Sequence, residues 1–399
     1  MASRLSRRQG VVCFEERNTV KVKFSREDLL SALQAVEQLV GKVTKPVLRC
    51  AKVKFPSGRP ATVIASNGEV HVWQDVPVLE VHRLSEILLP VSPLCKMLRF
   101  LAGDAVTISQ DNKGNLTISD ETNSYKIQTE DVSLWPDVVL QAEAPVAVIP
   151  ACQFRTMMRR TLFCVDTEST RYALGGVSLS VGDKGLQAVA TDTRRISVCV
   201  RPAERRGKPS KAVAVVPGQA VALILRAIDD TPADLEVWWD DKSATFSLAE
   251  RITIRSRLVE GLFPKWEDVL PQEPPAWKTV AAVEVIKRLT SAASVVSDAE
   301  SRGADFAFER PNLLTVSCES SQGVSRFVEH TGEHETVNSP QETLTTSLDP
   351  AYVAQYLQTL PGEASVRIEL IDSESGVVFV PVDSSVYDRY MVMPLSRDR

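Results

Sequence analysis

The residues able to do chemistry are scattered through this chain rather than gathered. Gly41-Lys42 lacks the upstream glycine and the following Ser or Thr that a phosphate-cradling loop requires. Gly175-Gly176-Val177-Ser178 fails the spacing of a nucleophile elbow, where the serine stands between flanking glycines. Histidine occurs only as His71, His82, His330 and His334. The run His330-Thr331-Gly332-Glu333-His334-Glu335 is similar to the linker between zinc fingers. A finger needs paired cysteines, however, and Cys318 stands alone, so the run reads as a polar loop. Carboxylates are spread evenly and nominate no acid–base pair. The expectation is a protein with no catalytic group, no metal and no cofactor.

Two other groupings point to binding. Tyr390-Met391-Val392-Met393-Pro394-Leu395 is an apolar run just before a charged tail. It reads as the last strand of a sheet, and methionine also makes an adaptable lining for a bound peptide. The second grouping is basic. The net charge of −5 argues against adhesion to nucleic acid by bulk charge. Yet no acid lies between Ala147 and Val165, where Arg155, Arg159 and Arg160 are present. Lys96 with Arg99, and Lys287 with Arg288, mark two further helices. Such helices in an acidic chain suggest charge segregated to one face; the plainer alternative is a set of solvated helix faces.

The elements that must position these residues come in three sets. Leu98-Arg99-Phe100-Leu101 is followed by Val106-Thr107-Ile108. Leu225-Arg226-Ala227-Ile228 then precedes Leu235-Glu236-Val237, and Leu357-Gln358-Thr359-Leu360 precedes Val366-Arg367-Ile368, at spacings of 127 and 132 residues. Leu134-Trp135-Pro136-Asp137-Val138 is echoed 128 residues later by Phe263-Pro264 through Pro271. Such a period is far longer than a solenoid repeat and fits a whole domain with its own core. The division expected is a disordered extension over 1–18, then domains over 19–145, 146–273 and 274–399.

Each copy reads as two helices on one face of an antiparallel sheet, an α+β architecture. In the first, Val20 to Phe24 is a strand, Ser25 an N-cap, and Leu29, Leu30, Leu33, Val36 and Val40 form an apolar helical stripe. Later helices are expected over Pro150–Val165, Pro217–Ile228 and Ala281–Ser297. Asp349-Pro350 supplies an N-cap and a first-turn proline for the last. No apolar run approaches the roughly 20 residues of a membrane helix. The first 18 residues carry Arg4, Arg7 and Arg8 but no apolar core of a secretory signal. The seven cysteines are odd in number and scattered, which suits reduced thiols in a cytoplasmic protein.

These residues carry a resemblance to the bacterial DNA polymerase III beta subunits, the sliding clamps, over about Val20 to Ser396. Its most specific pieces are Arg171-Tyr172-Ala173-Leu174-Gly175-Gly176-Val177 and Val189-Ala190-Thr191-Asp192-Thr193-Arg194-Arg195-Ile196. Gly261 through Pro271 and Met391 through Leu395 complete them. The resemblance implies three clamp domains and a head-to-tail homodimer whose six domains ring duplex DNA without sequence preference. It implies no enzymatic activity. The implied partners are the replicative polymerase subunit, the clamp loader and other proteins bearing a clamp-binding motif.

The resemblance places a partner-peptide pocket at Leu174, Thr191, Arg195, Ile196, Pro264, Val269, Met391, Met393, Pro394 and Leu395. Thr193 and Arg194 replace a Gly-His pair, Asp268 stands where a basic residue is frequent, and Ser396 replaces an arginine. The apolar floor is kept and the polar rim is not. For DNA, the matching positions are Lys42, Arg171 and Tyr172, with Ala173 in place of a second aromatic. Helix position adds Arg155, Arg159, Lys96, Arg99 and Lys287. The dimer contact maps to Tyr125 and Ile127 against Val295 and Val296. A competing reading is an interaction scaffold of clamp fold that does not encircle DNA. A hydrolase or nuclease would need a clustered carboxylate or histidine site.

Overall fold

The computed structural model describes residues 20–82, 86–111, 114–138, 140, 144–167, 173–207, 212–228, 231–249, 251–295, 303–332, 335–336, 342–382 and 386–395. Six α-helices occur among them, two in each copy: α1 (Arg26–Gly41), α2 (Val91–Phe100), α3 (Ala151–Leu162), α4 (Gly218–Ala227), α5 (Val283–Ser294) and α6 (Pro350–Leu357). Within each copy the two helices pack on one another. None of them is long and apolar enough to cross a membrane.

Local chemistry explains their limits. Ser25 Oγ accepts the Asp28 N–H at 3.3 Å and starts α1, which buries Leu29, Leu33, Val36 and Val40 and half-buries Leu30. Asp349 Oδ1 accepts the Ala351 N–H at 2.8 Å, and Pro350 takes the first turn of α6, where its missing N–H costs nothing. α5 begins at Val283, two residues later than its sequence suggested. Ala281 and Ala282 instead end the strand Trp277–Ala282, held by pairing to Ser365–Leu370.

The strands of each copy fall into two antiparallel groups rather than one. In the first copy, one sheet runs Val78–His82, Val20–Ser25, Ala105–Gln110, Asn115–Ser119, Ser124–Gln128. The other group runs Val70–Val76, Ala61–Ser66, Cys50–Lys54, Ile87–Pro90. Val78–His82 escapes a pattern search because it lacks alternating burial: Val78 is half-buried and the other four residues are exposed.

The second and third copies share a sheet. It runs Val213–Pro217, Gly176–Gly182, Gly185–Thr191, Arg195–Arg201, then Asp388–Val392, Val377–Pro381, Ser365–Leu370, Trp277–Ala282 and Glu335–Thr336. At its centre Arg195 lies opposite Val392, Ile196 opposite Met391 and Cys199 opposite Asp388. The two copies accordingly form one compact body, residues 142–249 with 254–399; residues 1–141 with 250–253 form the other. The third copy also carries a four-stranded sheet ordered Gly323–His330, Leu313–Ser320, Ala304–Glu309, Thr343–Leu348.

Candidate partner-binding site at the second and third copies

The central strand Arg195–Arg201 sends alternate side chains to opposite faces. On one face Ile196 and Val198 meet Val189, Met391, Val378 and Leu270, with Phe263 and Trp266 packed over them. On the other face Arg195, Ser197 and Arg201 turn to the helical side. Arg195 Nε donates to Asp192 Oδ2 at 2.8 Å, Nη1 to Gln355 Oε1 at 2.7 Å and Nη2 to the Phe163 carbonyl at 2.8 Å. Its guanidinium lies 4.1 Å from the centre of the Tyr352 ring. Burial works against the charge of Arg195, but the neighbouring Tyr390, Cys164 and Asp192 outweigh it and move its pKa up. Arg195 therefore ties the second copy to α6.

Deeper on that face, Asp388 is gripped by two arginines. Arg201 bonds it through both Nη atoms, at 2.5 and 2.8 Å, and Arg160 Nη1 contacts Oδ2. Phe163, Tyr356, Phe379 and Tyr390 pack as an aromatic cluster, in which Tyr356 and Tyr390 stack at 4.5 Å. The same burial pushes the Cys199 thiol up to about 11. These groups hold the joint, and a thiol raised in this way is not an activated nucleophile.

The residues assigned to a peptide pocket are brought together unevenly. Leu174, Ile196 and Met391 are buried, and Thr191 is nearly so, its Oγ1 donating to the Arg195 carbonyl at 2.7 Å. A side chain on Gly261 would come within 3.6 Å of the Ala173 nitrogen, so Gly261 passes close to the residue before Leu174. The Met393 N–H donates to the Arg194 carbonyl and the Leu395 N–H to the Ser347 carbonyl, both at 2.8 Å, which anchors the terminal segment on both copies. Pro264, Pro394 and Leu395 are half-buried. Three large apolar side chains remain open to solvent: Val269 at 52%, Met393 at 39% and Leu262 at 85% exposure. Leu262 was missed by sequence reasoning, although a leucine between Gly261 and Phe263 in a loop was the available signal. Arg195 differs from the others, because its guanidinium lies across the sheet from Ile196. A cleft of 660 Å³ opens against the cluster that holds Ile196, lined by Trp266, Leu270, Glu273, Lys278, Glu369 and Arg389 among others.

The basic candidates separate by partner. Arg155 is committed inside the fold: its Nη1 donates to the carbonyls of Leu225 and Ile228, the latter at 2.6 Å, closing the end of α4. Arg99 lies 3.7 Å from Glu37, and Lys287 lies 3.6 Å from Glu284. Lys42, Lys96 and Arg159 are exposed and have no ion pair among the described residues. Arg171 and Tyr172 lie outside the described residues. Tyr125 and Ile127 lie half-buried on the edge strand Ser124–Gln128, and Val295 is 79% exposed at the end of α5; Val296 lies outside the described residues. Among the described residues no cluster of three or more His, Cys, Asp or Glu could hold a metal; His334 is not among them.

Comparison with known proteins places this geometry. Residues 148–265 match the family described as DNA polymerase III beta subunit, central domain. The beta sliding clamp of Salmonella typhimurium is 24% identical over 377 residues, covering 94% of this chain and all of that protein. The DNA polymerase III subunit beta of Pseudomonas aeruginosa superposes with a TM-score of 0.84 at 22% identity, covering 94% of this chain and all of that one. A sliding clamp of the same organism, solved bound to griselimycin, gives a TM-score of 0.84 at 22% identity, over 95% of this chain and all of that one. The fold is that of a sliding clamp. Residues 148–265 of the second copy match the central domain of that family, and the chain as a whole is similar to the bacterial sliding clamps.

Proposed function

We propose that this chain is a DNA polymerase processivity factor that works in the cytoplasm without catalysing a reaction. Its three clamp domains, over 19–145, 146–273 and 274–399, would close head to tail with a second copy into a six-domain ring around duplex DNA. The polymerase, the clamp loader and other DNA enzymes would be tethered by short peptides at the pocket beside Met393. The observation that carries the reading is the joint itself. Ile196 and Met391 pack with Leu270 in one buried cluster, Leu174 is buried, and the exposed Leu262, Val269 and Met393 stand one or two residues in sequence from Phe263, Leu270 and Met391 of that cluster. Apolar side chains left open around a fixed floor are the usual mark of a peptide-binding groove. Arg195 supports that floor from behind.

A second reading, a scaffold of clamp fold that does not encircle DNA, draws support from the engaged states of Arg155, Arg99 and Lys287. Loading onto circular DNA separates the two. A clamp stays on the closed circle at high salt and is lost once the circle is cut, because its hold is topological; a scaffold shows no dependence on the cut.

A further inference from the structure

The border of the proposed pocket carries charge with a direction, and this inference rests on the pocket reading above. Arg194 is exposed, and its carbonyl accepts the Met393 N–H at 2.8 Å, which fixes it beside that methionine. The turn Lys265-Trp266-Glu267-Asp268 runs straight into Val269, whose neighbour Leu270 packs with Ile196 and Met391. Lys265, Glu267 and Asp268 are all exposed, so the turn carries an excess of one negative charge. Glu267 also lines the 660 Å³ cleft. Asp268 is the acid adjacent to the pocket wall, and its side chain has no hydrogen-bond or ion-pair partner among the described residues. Nearby charges are already engaged. Arg257 Nη2 lies 2.9 Å from Glu260 Oε1, and Asp192 Oδ2 is held at 2.8 Å by Arg195. Arg194 is thus a positive residue beside Met393, and the turn beside Val269 is net negative.

We propose that this pocket selects peptides by a charge axis. The preferred partner carries an apolar anchor, with Lys or Arg where the peptide meets Asp268 and Asp or Glu where it meets Arg194. The apolar wall holds any suitable anchor, and the rim decides which flanks are tolerated, since like charges brought together penalise the wrong partner. Each rim pair acts across water, so its effect is a few-fold and weakens with salt.

The test uses the full-length protein and three fluorescent peptides sharing one anchor from a polymerase-derived clamp-binding peptide. One has Lys before the anchor and Glu after it, one has the reverse order, and one has Ala at both places. Anisotropy titration at low salt should show one charged isomer binding about 5–10-fold tighter than the other, with the alanine peptide between them. The gap should shrink to under about twofold near 0.5 M salt, where charges are screened within a few ångströms. Asp268→Lys and Arg194→Glu should each reduce the preference, and the two together should reverse it. Equal affinities of the two isomers, or a preference that survives the double exchange, overturn the charge axis while leaving the pocket in place. Failure of all three peptides to bind overturns the pocket, and the axis with it.

Discussion

Arg201 and Asp388 form a two-pronged ion pair between the second and third copies, with Nη1–Oδ1 at 2.5 Å and Nη2–Oδ2 at 2.8 Å. They lie on neighbouring strands, 187 residues apart in sequence, and both are buried. Arg160 adds a second cation to the same carboxylate. Asp388→Ala would leave two arginines facing a dry joint. Removing one partner of a buried pair costs about 3–5 kcal/mol. Urea unfolding should therefore show a loss of that size, with the body of the second and third domains unfolding first. Arg201→Met, which removes one of the two cations and refills the space, should cost less than Asp388→Ala.

Thr193 offers a stabilising change. Its φ is 74°, in the left-handed region, at the turn joining Gly185–Thr191 to Arg195–Arg201. A non-glycine residue there is strained by about 1–2 kcal/mol. The Thr193 N–H donates to Thr191 Oγ1 at 3.1 Å, a bond that a glycine would keep. Thr193→Gly should raise stability by about 1 kcal/mol or slightly less, because glycine also has more freedom to lose on folding. Thermal unfolding monitored by circular dichroism checks it.

Much of the fold was readable in the residues, and the limits have physical causes. The repeat, the Ser25 cap and the Asp349-Pro350 start were legible because capping and helical periodicity are local. The sharing of one sheet by two copies was not, since it depends on Arg195–Arg201 finding Asp388–Val392 far along the chain. The resemblance placed Arg195 and Ile196 in one pocket, but only the period of two tells that adjacent side chains of a strand point to opposite faces. Arg155 looked like a free cation because its carbonyl partners at Leu225 and Ile228 become available only when α4 ends beside it. Leu262 stayed hidden because exposure of a loop residue has no periodic signature.

That distinction among cations yields a DNA-binding prediction. Replacing Lys42, Lys96 and Arg159 together by Glu should reduce retention on circular DNA and flatten the salt dependence of direct binding, with the fold intact. Phosphate contacts release counterions, and each lost contact lowers the salt slope by about one unit. Arg155→Glu should behave differently: it removes the bonds closing α4 and lowers thermal stability. Unaltered retention of the triple variant would exclude those three residues from the DNA face.

Closure into a dimer can be tested at α5. Val295 is 79% exposed at the helix end, and Ser124–Gln128 is an edge strand with open backbone groups. Edges of this kind are normally covered by a partner. Val295→Asp with Val296→Asp should yield a folded monomer by light scattering, while the wild type is a dimer at micromolar concentration. A wild-type monomer under those conditions would count heavily against the ring.

The last prediction concerns Met393. Its side chain is open to solvent beside the proposed pocket, while its N–H is bound to the Arg194 carbonyl. The backbone is thus fixed and the thioether is free to cover a ligand, a pairing that favours binding because little order remains to be imposed. A buried anchor of this kind contributes roughly 1.5–3 kcal/mol, whereas a peptide bound at micromolar strength has only about 8 kcal/mol in all. Met393→Ala should therefore weaken a polymerase-derived clamp-binding peptide by roughly 30-fold, since each 1.4 kcal/mol is tenfold. Deleting the chain from Met393 onward removes both terminal backbone anchors and should abolish binding. The dimer should survive, its proposed contacts at Tyr125, Ile127, Val295 and Val296 being elsewhere. Deleting only Arg397 to Arg399 should change little. Calorimetric titration of the four proteins decides it: wild-type affinity in a folded, dimeric protein truncated at Met393 would place the pocket elsewhere.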